Sequence, residues 1–547
     1  MNALNRRRLL DCGIGFNAVV MVTGFAMLAG GDPLIACACF IGAVGFSVWT
    51  RGLVAGVAAT LASLLMMRFV SNVDVRSMIV FTLAATAICA AFEFIRRHTP
   101  RSDDTELLPQ EPILRWLSLG ALPLLALIIY TNVSDVAMRN LPVPSLLQPV
   151  IFILAAAVWH YRKPLGAGAI ITQPLALALA AYCFVQFCST IWAPDVRLAD
   201  ERVFDTLKNL AMFVIAASLA VSWRALHRVI IALTVAASAL SLVTMAQTLT
   251  HDDSHELFGF ARIQVAHLYA GTFEVRPAGP VGDPNFYAQF LLMIVPLALF
   301  AAFAEQRPRV RTILFAGSAI IAAGTVLTYS RGAMLALALM TALAMPVLKL
   351  RIKHIAPLAI AALIGIALLP AEVTRRMLTI ESIVPGTSME IDSSIIKRKL
   401  LLGTALRMFD DHLVGGVGAG NFTRYFQRYA NETGSAAPQY DEPGSRQFPH
   451  TLYLEIGAET GLLGLATFGA AIALAYLALL RARRVLLARG DAAHAGLAAG
   501  LAIALTGYLI TSLFLHGAFQ RYLWLLFALI AAAARLTTHA DEVRDEQ

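Results

Sequence analysis

Four residues in the second half of the chain have types and spacings suited to chemistry on a phosphorylated substrate: Arg276, Arg331, Arg407 and His450. A guanidinium stays charged whatever its burial and grips phosphate oxygens with two parallel N–H donors, which suits a diphosphate held at a membrane surface. Each arginine also has a plainer reading, as a side chain snorkelling to lipid phosphate. Arg276 opens the stretch Arg276-Pro277-Ala278-Gly279-Pro280-Val281-Gly282-Asp283-Pro284-Asn285. Glycine and proline let the backbone turn there before a helix that starts at Asn285. Asp283 can cap that helix, and its exposed amides favour an anion; an ordinary capped turn explains the same residues. Arg331 stands in Thr328-Tyr329-Ser330-Arg331-Gly332, between two apolar runs with almost no loop. It therefore lies at the membrane boundary, as anchor or as ligand. Arg407 is the middle of Lys399 to Phe409, an apolar run with basic punctuation that reads as an amphipathic surface helix.

His450 is the candidate general base. It stands where a long polar loop turns back into an apolar helix, a partly wet position where an imidazole can titrate near neutrality. Glu455 and Glu459 follow in the first turns of that helix, and a helix places those two on one face. Glu459 has apolar neighbours and needs a partner. A base oriented by a carboxylate and an arginine braced by one fit equally well. Asn285, Glu455 and Glu459 are the candidate substrate-binding residues. No Asp-x-Asp occurs to hold a metal on a nucleotide sugar, and no Gly-x-Ser-x-Gly, His-Glu-x-x-His or phosphate-loop signature appears. The glycine cluster Gly415, Gly416, Gly418 and Gly420 is no dinucleotide fingerprint, because no strand precedes it. The chemistry expected is thus free of metal and cofactor.

The elements that must position these residues are membrane helices. Of 547 residues 58% are hydrophobic and only 14% charged, against roughly 25% in a soluble protein. The fold class expected is all-α: a polytopic transmembrane helical bundle of about 14 to 16 spans, each near the roughly 20 residues a bilayer requires, with one large periplasmic loop domain. The net charge of +8 is spread over short inter-helix loops, which excludes a nucleic-acid stripe and points to the lipid bilayer instead. The six cysteines all fall in apolar segments and read as packing residues.

Lys and Arg alternate sharply between the two sets of loops. Arg6 to Arg8, Arg96 with Arg97, Arg162 with Lys163, Arg307 to Arg311 and Arg481 to Arg489 fall on one side, so both termini are expected in the cytoplasm. The opposite side then holds 132–144, 194–206, 250–284, the turns at 329–331 and 516–521, and the long loop that ends at His450. Five parts follow: a transmembrane block and linker at 1–112, a central block at 113–370, the periplasmic loop at 371–450, C-terminal helices at 451–538 and a cytoplasmic tail at 539–547.

Several motifs in this order resemble one group. They are Gly-x-x-x-Asp-Pro-Asn at 279–285, Thr-x-Ser-Arg-Gly at 328–332, Arg-x10-Gly from Arg407 to Gly418, and His-x4-Glu-x3-Glu-x-Gly-x2-Gly from His450 to Gly464. Together they resemble the O-antigen ligase and O-antigen polymerase superfamily, over roughly Asp283 to Leu480. The resemblance implies glycosyl transfer from an undecaprenyl-diphosphate-linked glycan to an acceptor hydroxyl, on a lipid A core or another glycan, at the periplasmic face of the inner membrane. It implies that His450 activates the acceptor, that Arg407 is one diphosphate ligand, and that Arg276 or Arg331 is the second. Thr451 departs from the asparagine or serine that many relatives carry there, and the N-terminal block is longer than a compact ligase needs. Single displacement with inversion is expected, since no nucleophilic carboxylate pair is evident. A transporter of a lipid-linked anion is the competing class; it would be expected to show internal repeats, and none is evident.

Overall fold

The computed structural model describes residues 111–140, 147–250, 256–267, 273–349, 393–432, 447–518 and 520–545. Nearly all of the expected block at 1–112, the apolar run at 355–370 and parts of the loop at 371–450 lie outside the described residues.

Seven described helices are long and apolar enough to cross a membrane. They are α1 (Pro112–Tyr130), α6 (Trp223–Thr250), α7 (Pro284–Ala304), α8 (Pro308–Val326), α12 (Leu452–Ala488), α13 (Ala492–Thr511) and the Arg521–Thr538 part of α14 (Arg521–Asp545). Between them lie α2 (Val133–Asn140), α3 (Leu147–His160), α4 (Pro174–Ser189), α5 (Val196–Leu219), α9 (Arg331–Val347), α10 (Ser393–Asp411) and α11 (Phe422–Glu432). The multi-pass helical bundle is as expected from the apolar runs. Two features differ. The 194–206 stretch, expected as loop, is mostly the start of α5, whose charged residues are spaced along a helix that Asp195 caps by accepting from Leu198 N. The 250–284 stretch holds an antiparallel hairpin, β1 (Ile263–His267) and β2 (Phe273–Pro277), with Gln264 opposite Arg276.

Among the described helices α14 is the central one. From Leu523 to Ala533 its residues are almost wholly buried, so it is apolar all round, as a helix enclosed by others must be. It packs against α5, α12 and α13, while α4 and α10 flank α12 and the second half of α7 lies on α13. At one end Arg535 donates to the carbonyls of Leu165 and Ala220, both 2.9 Å away, satisfying chain ends that have no helical partner. At the other end Gln289, fully buried in α7, donates to Thr511 Oγ1 and Ser512 Oγ and accepts from the Tyr522 hydroxyl at 2.7 Å. That amide ties the start of α7, the end of α13 and the start of α14 into one fixed platform.

Described parts of the stretches expected on one membrane side contact one another around this platform. Asn132 donates to Pro280 O, Asp195 N to Asn421 Oδ1, Trp192 to Gly416 O, and Leu452 N to Ser512 O. The glycine run fits here for a steric reason. At Gly416 (φ 68°) a Cβ would collide with the backbone of Glu459 and Thr460, and at Gly461 (φ 63°) with Val414 O. Gly461 also kinks α12, and the carbonyls this frees are taken up by the glycine run: Val417 N donates to Ala458 O at 2.8 Å and Gly418 N to Glu459 O at 2.9 Å.

Candidate active site

Arg276 lies at the end of the hairpin, 6% exposed. Its Nε and Nη2 donate to Thr328 O at 3.2 and 3.1 Å, and Nη2 also donates to Asn285 Oδ1 at 3.1 Å. Three of its five N–H donors are thereby spent on holding the fork still. Among the described residues Nη1 makes no hydrogen bond, so the fork is held by its other edge. Asp283 caps α7 through Asn285 N (2.8 Å) and Phe286 N (3.0 Å), and that turn brings Asn285 to the arginine. Burial pushes the Arg276 pKa down to about 10; Asp283 pulls it back up, and Arg398 and Arg331 press it further down. Three guanidinium groups thus share one neighbourhood, where an anion relieves their mutual repulsion. Arg331 reaches it as the first residue of α9, and Arg398 from the first turns of α10.

His450 has φ 52°, a left-handed backbone seldom seen outside glycine and, when held in place, common at functional sites. Its ring meets the edge of His516, with centroids 5.5 Å apart and planes at 76°. His516 lies in the α13–α14 loop, stacked on Phe448 at 4.2 Å and edge-on to Phe286 at 5.0 Å. Phe286 follows Asn285 in the chain, so the imidazole pair adjoins the Arg276 cluster through one residue. Burial, then His450 and Arg202, hold the His516 pKa well below its usual range.

Glu455 and Glu459 are engaged by the scaffold. Glu455 Oε2 accepts from Gly517 N at 2.6 Å, and its Oε1 stands 3.4 Å from Arg202 Nη2 in an ion pair without an aligned hydrogen bond. Glu459 Oε2 accepts from Gly420 N at 2.9 Å and lies within electrostatic reach of the same arginine. Of the two arrangements the sequence left open, these contacts are those of an arginine braced by carboxylates, and the arginine is Arg202.

Arg407 is placed elsewhere. It is exposed on α10 and donates to Glu432 O at 3.3 Å, at the end of α11. Nine residues at the helical rise put it about 13 Å along the axis from Arg398. The structure therefore gathers His450, Arg276, Arg331 and Asn285, sets Glu455 and Glu459 against Arg202, and leaves Arg407 on the surface. Sequence reasoning missed Arg202, Arg398 and His516. Only the basic run Lys397-Arg398-Lys399 and the polar turn at His516 gave any signal. A cavity of about 310 Å³ adjoins the cluster, sharing Asp283 and Phe286 as walls.

Residues 316–469 match the family described as O-antigen ligase. The matched stretch holds Arg331, Arg398, Arg407 and His450 but neither Arg276 nor His516. Among curated proteins there is no match to this chain.

Proposed function

We propose that the chain, a multi-pass membrane protein whose residues 316–469 match the O-antigen ligase family, moves a glycan from an undecaprenyl-diphosphate carrier to an acceptor hydroxyl on the periplasmic face of the inner membrane. The observation that carries the reading is the convergence of Arg276, Arg331 and Arg398, to which His450 is joined through the rings of His516 and Phe286. A transporter has no need of an imidazole held at a left-handed backbone beside such a cluster.

In this mechanism His450 takes the proton of the acceptor hydroxyl as its oxygen attacks the anomeric carbon. The bond from that carbon to the carrier diphosphate breaks, and the carrier leaves with one more negative charge. Arg276, aimed beforehand by Thr328 O and Asn285, stabilises that charge together with Arg331 and Arg398. One displacement gives inversion. Arg407, on the outer face of α10, is assigned to the approach of the substrate along the membrane surface. The termini and the ring of Arg162, Arg307, Arg311 and Arg489 at the opposite end lie in the cytoplasm on this reading. Transfer to a lipid A core is the form proposed, with polymerisation of repeat units as the alternative within the superfamily. Deletion followed by gel analysis of surface glycan separates them. Loss of all long chains with carrier-linked polymer accumulating marks the ligase, single-unit capping marks the polymerase, and an unchanged pattern overturns both.

A further inference from the structure

The general base stands at φ 52°, and a residue other than glycine stays there only where its surroundings hold it. His516 supplies a ring that does so. Its imidazole lies flat on Phe448, with centroids 4.2 Å apart and planes at 7°, and meets the edge of His450 at 5.5 Å. It thus grips both ends of the segment Phe448-Pro449-His450, in which the proline already fixes its own φ and favours an extended residue before it.

The His516 ring is set in turn by the peptide that follows it. Gly517 has φ 111°, a backbone that side chains rarely adopt, and both of its polar groups are held by buried residues. Its N–H donates to Glu455 Oε2 at 2.6 Å, short as an ionised acceptor makes it, and its carbonyl accepts from the Tyr508 hydroxyl at 2.9 Å. Trp524 Nε1 fastens the next carbonyl, that of Ala518, at 2.9 Å. A buried carboxylate needs a counter-charge, and Arg202 supplies it to Glu455 from α5, 3.4 Å away. The start of α5 is latched nearby by the two hydrogen bonds that Asp195 and Asn421 exchange. Glu455 itself stands in the first turn of α12, the helix that begins two residues after His450. One carboxylate therefore ties the loop that carries one imidazole to the helix that follows the other.

We propose that Glu455, with Arg202 as its counter-charge, is a positioning residue for the transfer: it fixes Gly517 and so the His516 ring, which keeps the His450 imidazole aimed at the acceptor hydroxyl. His516 is a wedge in this role and touches no reacting atom. Neither Glu455 nor His516 meets a substrate, so their loss belongs to kcat and not to KM. The inference rests on the transferase reading and fails separately from it.

The test uses the full-length protein in detergent, with carrier-linked glycan and unglycosylated acceptor lipid both extracted from a strain deleted for this gene. Each variant is assayed below its own thermal midpoint. Glu455→Leu removes the acceptor for Gly517 N at similar volume and leaves Arg202 within reach of Glu459, so no charge is stranded. Expected is a fall in kcat of about tenfold or more with both KM values within about twofold of wild type, since misaiming a catalytic group costs rate and not affinity. Glu455→Gln keeps an oxygen for Gly517 N and His516→Phe keeps the wedge, so each should retain kcat within about threefold. His516→Ala should lose about tenfold, and adding Glu455→Leu to it should cost less than about twofold more, because the ring through which Glu455 acts is gone. A purely structural role gives the same loss in both backgrounds and overturns the proposal; so does a Glu455→Leu protein with wild-type kcat, or one whose loss lies in KM. Should Glu455→Leu or His516→Ala fail to fold, Tyr508→Phe decides, because it removes only the hydroxyl on the Gly517 carbonyl. A kcat lower by about threefold or more at unchanged KM is then expected, and wild-type kcat refutes the clamp. If wild-type protein transfers nothing between these substrates, the transferase reading falls and the positioning role with it.

Discussion

At His450 the backbone conformation and the chemistry can be separated by substitution. Asparagine tolerates the left-handed region but has no basic nitrogen, so His450→Asn should fold and insert normally while glycan transfer falls by about 10²-fold or more. Wild-type turnover in that variant would remove the general base. Arg276→Lys keeps a charge but cannot hold Thr328 O and Asn285 together while facing a ligand, so kcat should drop by about 10²-fold or more. Arg398→Ala should cost more activity than Arg407→Ala, a ranking that steady-state assays of the two read directly. His516 gives a pH signature. Its folded-state pKa is depressed, so the unfolded chain takes up the proton first; the stability it contributes is complete above about pH 6.5 and is lost as the pH falls below that. The thermal midpoint should therefore fall between pH 7 and pH 5, less steeply in His516→Phe. His450, Arg276 and Arg331 were visible in the sequence because turn residues and loop position mark them. Arg202, Arg398 and His516 were not, since what distinguishes them is which distant carboxylate, guanidinium or ring they meet.

Among the elements, the junction of the glycine run with the kinked start of α12 is the most demanding. Gly416→Ala places a Cβ against the backbone of Glu459 and Thr460 at a positive φ, with no flexible side chain there to yield. A loss of about 3 kcal/mol or more is expected, read as a lowered thermal midpoint, whereas Gly403→Ala on α10 meets open space and should be neutral or better. Helix type was readable from apolar composition: the apolar runs near 114–131, 226–249, 311–328, 332–348 and 497–516 correspond to α1, α6, α8, α9 and α13. The hairpin and α11 were not, because a two-stranded ribbon and an eleven-residue helix between polar segments draw their order from the surfaces they cover. The sequence showed only what the glycine run is not, a dinucleotide fingerprint; it is a contact surface, which only the partner backbone reveals.

For the whole molecule, the platform and the basic ring at its far end predict opposite accessibilities. A cysteine replacing Arg428 on α11 should react with a membrane-impermeant maleimide in spheroplasts, and one replacing Arg309 only after lysis. The inverse pattern would turn the bundle over and place the arginine cluster on the wrong side for a lipid-linked donor. The convergence of loops from six stretches of sequence was legible as a list of segments sharing one membrane side. Their meeting was not, because no local pattern specifies which loop touches which.

Helix α14 carries one more implication, for biogenesis. It is emitted by the ribosome after every other helix described here, yet it is enclosed among them. The earlier spans must wait in the bilayer with a vacant slot, loosely gathered, until this plug slides in. Because that late segment also brings Gly517 to Glu455 and Tyr522 to Gln289, the platform beneath the arginine cluster is completed only once α14 has arrived.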